Sequence, residues 1–442
     1  MRRDKNMDKK QEIQDEVQLI QDLFDGIDNG DFNNFGETSD KYTFKYLKAI
    51  WDLQTVLDGG KELYKQIYEI AIKCGIRHVQ QKYKTGRKIK VAFLTISAAE
   101  WPAESVYRLL KMNENVEAYL VVGPLIDRSV ENMEDAFEKT ASFFEKRGYD
   151  VRRAYDSKNK KVRLWEEIGK PDIVIHLTHW YKSLPEEYQI ENYPFTILNC
   201  YIPYAMSLAD NAKGTFMINS SNNSMFLNMM WHIYTDTMYH YEGYREYQLL
   251  GGENVVFTGF PKMDFFYNKI ENTSDQLMLM ANWKYPTGCD PKNMKKVIIA
   301  PHHTFLGYGG ILYSTFQWNM YFWIYLAKKY ENQISFIFKP HPNLRTRAIE
   351  AEVFRDAGDY ERYIDLWEKL PNARVSAEES YLEIFATSDG MIMDSNSFLA
   401  EYMYVNKPLL FLTREEQTFN KLGRSIVAVS YTHLRAHETL RH

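Results

Sequence analysis

The chain has 442 residues, too many for one ordinary core, so more than one domain is expected. Its formal charge of −5 supplies no general basic field for nucleic acid, and its three scattered cysteines, Cys74, Cys200 and Cys289, form no CxxC pair, which sets aside a zinc site and a disulfide framework. A hydrophobic share of 45% and a charged share of 26% are ordinary for a globular chain, and an aromatic share of 15% suits large cores and ring-lined clefts. Free cysteines point to a reducing cytoplasm. No apolar run approaches the roughly 20 residues that a bilayer span needs. The charged start MRRDKNMDKK has no apolar stretch behind it of the kind a signal peptide carries.

Residues 1–85 read as helical. Ile13, Val17, Ile20 and Phe24 recur at the spacing of one apolar helix face, and Gly26 follows as a stop. A second helix carries Phe44, Leu47, Ile50, Trp51 and Leu57 and ends at Gly59-Gly60; a third runs from Glu62 to Lys82. From Lys88 the pattern alternates. IKVAFLTI (Ile89–Ile96) is a nearly continuous apolar run, the mark of a parallel strand buried on both faces. A helix (Ala103–Lys111), a strand (Val116–Val122), a helix (Glu131–Lys146) and strands near Asp150, at Asp172–Leu177, Phe195–Asn199 and Val255–Thr258 follow. After a pattern-poor linker, a second series has strands at Val297–Ala300, Ile334–Phe338, Met391–Met393 and Leu409–Leu412. Its helices cover Thr315–Tyr330, Ala348–Leu370, Tyr381–Thr387 and Ser397–Val405.

Such alternation means parallel sheets covered on both faces. The expected fold is α/β of GT-B type: two doubly wound Rossmann-like domains facing a cleft, with an N-terminal helical extension. The expected boundaries are 1–85 for the helical segment, 86–270 for an acceptor domain, 271–294 for a linker and 295–428 for a donor-nucleotide domain. Residues 429–442 contain VSYTHLRAHET, which resembles a translated sequencing-library adapter. Native sequence is therefore expected to stop near Ala428, with the last domain truncated and His433 and His437 without a role.

In open α/β sheets, ligands bind beyond the carboxyl ends of strands. Three such ends stand out in the second series. Strand Val297–Ala300 leads into Pro301-His302-His303-Thr304 and a glycine-bearing loop, Gly307 to Gly310, whose backbone can approach a phosphate closely. Strand Ile334–Phe338 leads into Lys339-Pro340-His341-Pro342-Asn343-Leu344-Arg345, where two prolines stiffen a loop that gathers two cations and an imidazole. Strand Met391–Met393 leads into Asp394-Ser395-Asn396-Ser397 and a helix, with Glu401 one turn along the face of Ser397. Together these are candidates to neutralise a diphosphate: His302, His303, Lys339, Arg345, Asp394, Asn396, Ser397 and Glu401, with His341 the leading catalytic candidate.

The run SDGMIMDSNSFLAEYMYVNKPLLFL (Ser388–Leu412), the segment FKPHPNLR (Phe338–Arg345), VIIAPHHTF (Val297–Phe305) and TGFPKMDFF (Thr258–Phe266) occur in the order and spacing of motifs of the CDP-glycerol glycerophosphotransferase family, which the chain resembles from Lys88 to Val427. The resemblance implies transfer of glycerol phosphate from CDP-glycerol to a polymer, as in teichoic acid synthesis. It implies that His341 contacts the donor pyrophosphate, Ser397 one of its phosphates and Glu401 the nucleotide; Asn396 replaces a serine of the family's pair. The chain departs from the family's WHGT motif, whose histidine is the general base: the matching strand end reads Leu198-Asn199-Cys200-Tyr201, with no histidine. His176 and His179 beyond Asp172–Leu177, and Glu100 beyond Ile89–Ile96, are the substitutes, with His179 and Glu100 preferred. No third ligand accompanies the two histidines, so no metal is expected there, and no cofactor is called for.

The implied partners are CDP-glycerol or another nucleotide-activated donor and a polymer or lipid-linked acceptor, with peripheral contact at the inner face of the cell membrane and no nucleic acid. Two other readings stay open at this point: a nucleotide-sugar glycosyltransferase of the same fold, and a non-catalytic nucleotide-binding protein.

Overall fold

A computed structural model describes residues 14–26, 29, 41–55, 59–210, 214, 217–267, 280–305, 311–376 and 381–428. Ile13, Leu57, the 307–310 glycines, residues 271–279 of the expected 271–294 linker and the 429–442 tail lie outside them. The chain divides into two compact units, Met1–Tyr204 with Asn222–Lys262, and Ala205–Ser221 with Met263–His442.

Among the described residues the first unit holds nine strands: β1 Ile89–Thr95, β2 Val116–Val122, β3 Val151–Arg153, β4 Tyr155–Asp156, β5 Lys161–Val162, β6 Ile173–His176, β7 Leu198–Tyr201, β8 His232–Thr235 and β9 Val255–Phe257. Seven form one parallel sheet in the order β3-β2-β1-β6-β7-β8-β9, and β4 and β5 make a short hairpin. Chain direction across the sheet reverses between β1 and β6, which is the doubly wound pattern. The central strands are apolar along their length because both faces are covered: all of β1 but Lys90 is buried.

Helices covering residues 14–26, Lys45–Leu53 and Gly60–Lys84 lie on this unit, and Phe44, Leu47, Ile50 and Tyr64 enter its core beside Tyr193 and Phe195. At Gly75 an added Cβ would stand 2.5 Å from the Leu198 side chain. Glycine there lets the long helix lie close against β7. In the first helix the buried large side chain is Leu23, while Val17 and Phe24 remain exposed. The stripe that packs is Leu19, Ile20 and Leu23, which keeps Ile20 of the expected face. The expected strand Phe195–Asn199 begins later, at Leu198, because Phe195 is diverted: its N–H donates to the Tyr42 carbonyl.

The second unit holds β10 Lys295–Ala300, β11 Ile334–Phe338, β12 Ala373–Val375, β13 Gly390–Met393 and β14 Leu409–Phe411, parallel in the order β12-β11-β10-β13-β14. Direction reverses between β10 and β13. Helices Phe316–Lys329 and Ala357–Glu368 cover one face, with Phe338 stacked on Trp367 at 5.1 Å and Phe316 against Tyr363. Burying a side chain of that size contributes about 1.5–3 kcal/mol. The single helix expected over Ala348–Leu370 is two, Leu344–Glu350 and Ala357–Glu368. Glu352 breaks it with φ of 57°, and Asp356 restarts it by accepting the Asp359 N–H at 2.9 Å.

Two doubly wound Rossmann-like units of this kind are the make-up of a GT-B fold. No helix among the described residues is long and apolar enough to cross a membrane.

Candidate active site

The loops after β10, β11 and β13 leave one edge of one sheet, and β10 and β13 flank the point where strand order reverses. An open α/β sheet places its ligand crevice there. Backbone bonds fasten the loops together. Lys339 N–H donates to the Ile299 carbonyl at 2.8 Å and His341 N–H to the Pro301 carbonyl at 3.3 Å, so β11 stays zipped to β10 past its end.

Asp394 ties in the third loop. Its Oδ1 accepts the His302 N–H at 2.5 Å, and its Oδ2 accepts the Thr315 N–H at 2.5 Å and the Thr315 hydroxyl at 2.8 Å. The carboxylate is fully buried, which pushes its pKa up to about 6 despite the N–H groups that draw it down. Thr315 opens helix Phe316–Lys329, so the charge also meets a helix N-terminus. Expected to bind phosphate, Asp394 instead occupies its acceptor lone pairs with protein donors and acts as a strut.

Three imidazoles meet above this strut. His303 stacks on His341 with ring centres 3.9 Å apart, His302 lies 4.4 Å from His303 and 5.3 Å from His341, and their nitrogens lie within 4.8 Å of one another. Burial is the main cause holding all three below the usual imidazole range, with His303 lowered to about 4, so the cluster is neutral at pH 7. Such a triad also has the composition of a cation site. The tautomers argue for anion binding. Asn343 N–H donates to His341 Nδ1 at 3.1 Å, which leaves the proton of the neutral ring on Nε2. Thr304 Oγ1 lies 2.8 Å from His302 Nδ1 and accepts the Tyr313 N–H; when its hydroxyl donates to that ring nitrogen, the His302 proton also sits on Nε2. Nε2–H groups held this way are preset donors for an oxyanion.

Two buried polar atoms at this edge, His303 Nδ1 and Asn396 Oδ1, find no partner among the described residues. Buried polar groups are rarely left so, and a ligand that completes them is the ordinary resolution. Ser397 is the first residue of helix Ser397–Met403, at the end of β13, and Asn396 makes no side-chain capping bond. Lys339 is buried and close enough to His341 to lower its pKa further.

Two other expected residues sit elsewhere. Arg345 is exposed and paired with Glu361 at 3.1 Å; Arg347, half a turn on and overlooked in the sequence, pairs with Glu350 at 2.7 Å and also sends its field to His303. Glu401 is buried and accepts a hydrogen bond from the Tyr381 hydroxyl, so its carboxylate faces the interior of the unit.

The first unit has its own cluster at its own reversal point, between β1 and β6. Glu100 follows β1, and burial raises its carboxyl to about 7 against the pull of Lys262 and Arg128. Its Oε2 finds no partner among the described residues. Lys262, beyond β9, donates to the Ala99 carbonyl at 3.1 Å. His179 follows β6, lies against Trp180 at 4.1 Å, and has Nδ1 3.4 Å from the Tyr201 hydroxyl; burial lowers it to about 4. His176 is a core residue, bonded to Asn199 Oδ1 at 3.0 Å and stacked on Tyr193.

The sequence also gave no notice of Asp236, whose Oδ1 lies 2.6 Å from His240 Nδ1 just past β8. Its only signal was an acid and a histidine four apart, beyond a strand too short to recognise.

Residues 245–431 match the family described as CDP-Glycerol:Poly(glycerophosphate) glycerophosphotransferase. A teichoic acid poly(ribitol-phosphate) polymerase of Bacillus spizizenii is 26% identical over 161 residues, 36% of this chain. That match spans 22% of the relative's own length. Among solved structures, the wall teichoic acid polymerase TagF aligns with a TM-score of 0.45 at 12% identity, covering 79% of this chain and 77% of that one. A UDP-GlcNAc 2-epimerase from Neisseria meningitidis aligns at 0.42 and 15% identity, covering 80% and 92%. Neither adds to what the strand order establishes. The match to the CDP-glycerol:poly(glycerophosphate) glycerophosphotransferase family, over residues 245–431, takes in all three strand ends that carry His302, His341 and Ser397.

Proposed function

We propose that this chain is a transferase that moves glycerol phosphate from CDP-glycerol to a cell-wall or capsular polymer acceptor, polymeric or lipid-linked, working peripherally at the inner face of the cell membrane. The observation that carries this reading is the neutral imidazole cluster beside two unpaired buried polar atoms, at the reversal point of the unit that the family match covers.

In this mechanism the second unit holds the diphosphate. His302 and His341 donate through Nε2–H, Lys339 and Arg347 add positive charge, and Ser397 and the N–H groups beside it meet a phosphate oxygen. An acceptor hydroxyl attacks the phosphorus that bears glycerol. The new P–O bond forms as the bond to the CMP phosphate breaks, and CMP leaves with the electron pair. The developing charge on CMP falls on donors already in place, which is the term that commonly contributes most to such steps. The first unit supplies the candidate general base, Glu100, whose pKa of about 7 is matched to taking a proton near neutral pH. His179 is neutral and is the second candidate for that proton.

The test is product identity. Phosphorus NMR of the protein incubated separately with CDP-glycerol, CDP-ribitol and nucleotide sugars, each with a primed acceptor, is expected to show CMP appearing from CDP-glycerol. Release of a nucleoside diphosphate from a nucleotide sugar would make the chain a glycosyltransferase instead. Preference for CDP-ribitol would keep the mechanism and change the head group.

A further inference from the structure

Helix Phe316–Lys329 buries Phe316, Met320, Trp323, Ile324 and Ala327. Its other side carries Trp318, Tyr321, Phe322 and Tyr325, the i, i+3, i+4, i+7 set of a single stripe. These rings are 62%, 63%, 54% and 54% exposed. Contiguous exposed apolar surface of this kind marks an interaction site. None of the 14 residues is acidic, and the last turn adds two exposed lysines, Lys328 and Lys329.

We propose that this stripe seats the second unit on an anionic lipid surface. Chemistry and charge both select that occupant. Tyrosine and tryptophan combine an apolar body with a polar tip and favour the headgroup level of a bilayer. The two ammonium groups at the end of the stripe complement acidic headgroups, and their stems can lie along apolar surface while the charges reach outward. The rings are also held by the fold: Tyr321 rests on Tyr363 at 6.0 Å, and Lys329 lies over Tyr325 at 5.9 Å. The inference deepens the membrane placement proposed above and is independent of the donor chemistry.

Sedimentation with vesicles tests it, using phosphatidylcholine alone and an equal mixture of phosphatidylcholine and phosphatidylglycerol. The wild-type chain is expected to pellet with the mixed vesicles, less so at high salt. The variant W318S/Y321S/F322S/Y325S is expected to lose most of that binding. K328E/K329E is expected to bind the mixed vesicles roughly tenfold more weakly or worse, since each basic residue near an anionic surface contributes measurably. Both variants alter only exposed side chains, so far-ultraviolet circular dichroism and CMP release with a soluble acceptor should match wild type. Lost vesicle binding by both variants with an unchanged circular dichroism spectrum supports the inference whatever the donor proves to be. Wild-type vesicle binding by the serine variant would overturn it. So would a wild-type chain that ignores both vesicles, or one that dimerises through the stripe and binds neither, in which case a second copy is the occupant.

Discussion

The two sheets reverse strand order at equivalent places, yet what they present there is opposite in kind. At the edge of β10, β11 and β13, three imidazoles and a lysine gather around loops fixed by Asp394 and two prolines. At the edge of β1 and β6, the carboxylate of Glu100 lies within the electrostatic reach of Tyr201, Tyr204 and Lys262, and desolvation lifts its pKa to about 7. One edge is built to receive negative charge and the other to take a proton. A Rossmann-like topology thus fixes where a site forms, while side chains a few residues past the strand ends decide its chemistry.

That contrast can be broken most severely at the diphosphate grip. His341→Ala should lower kcat/KM for CDP-glycerol by about 100-fold or more, the scale seen when a preset oxyanion donor is lost. Steady-state kinetics, with circular dichroism to show an intact fold, would check it; near-normal turnover would take His341 out of the mechanism.

Glu100→Gln should cost nearly as much, about 100-fold in kcat, the range for a lost general base. In the wild type the rate should climb as pH rises through about 7, where the carboxyl ionises, and that limb should vanish in the variant. Because the folded carboxyl titrates above its unfolded value, its contribution to stability is present at low pH and disappears as pH rises through about 7. The amide should therefore be at least as stable as wild type at pH 8 in urea unfolding, a loss of activity without a loss of fold.

A third, intermediate effect concerns acid. Burial holds His176, His179 and His303 at about 4, against roughly 6.5 for an unfolded histidine. The stability this represents is complete above pH 6.5 and is lost as pH falls through about 4. For His176, which lies in the core, the loss amounts to about 3 kcal/mol. Thermal melts between pH 7 and 4.5 should fall steadily, and saturating CDP-glycerol should soften the fall by favouring the charged forms of the cluster.

The smallest effect separates two neighbours. Arg345→Ala should change donor KM by less than about threefold, because exposed ion pairs contribute little. Arg347→Ala should raise it more, since its field reaches His303. Equal effects would blur the assignment.

Much of this was legible in the sequence where a strand is long, apolar and central. β2 and β11 were bounded to the residue, because strands buried on both faces read as unbroken apolar runs. β8, with HIYT, and β12, with ARV, escaped because short mixed strands carry no period. In the site, histidines at strand ends announced themselves. Asp394 was found but misread, since a carboxylate that staples loops and one that meets a ligand look alike before folding. Lys262 could not be linked to Glu100 at all, because 162 residues separate them and only the closing of the sheet brings them together.

The most direct measurement is a crystal structure of the protein soaked with CDP-glycerol. The diphosphate is predicted between the loops after β10 and β13, with oxygens within hydrogen-bonding distance of His302 Nε2, His341 Nε2 and the Ser397 hydroxyl. Density for the diphosphate at any other edge of the second sheet, with the three imidazoles untouched, would contradict the account.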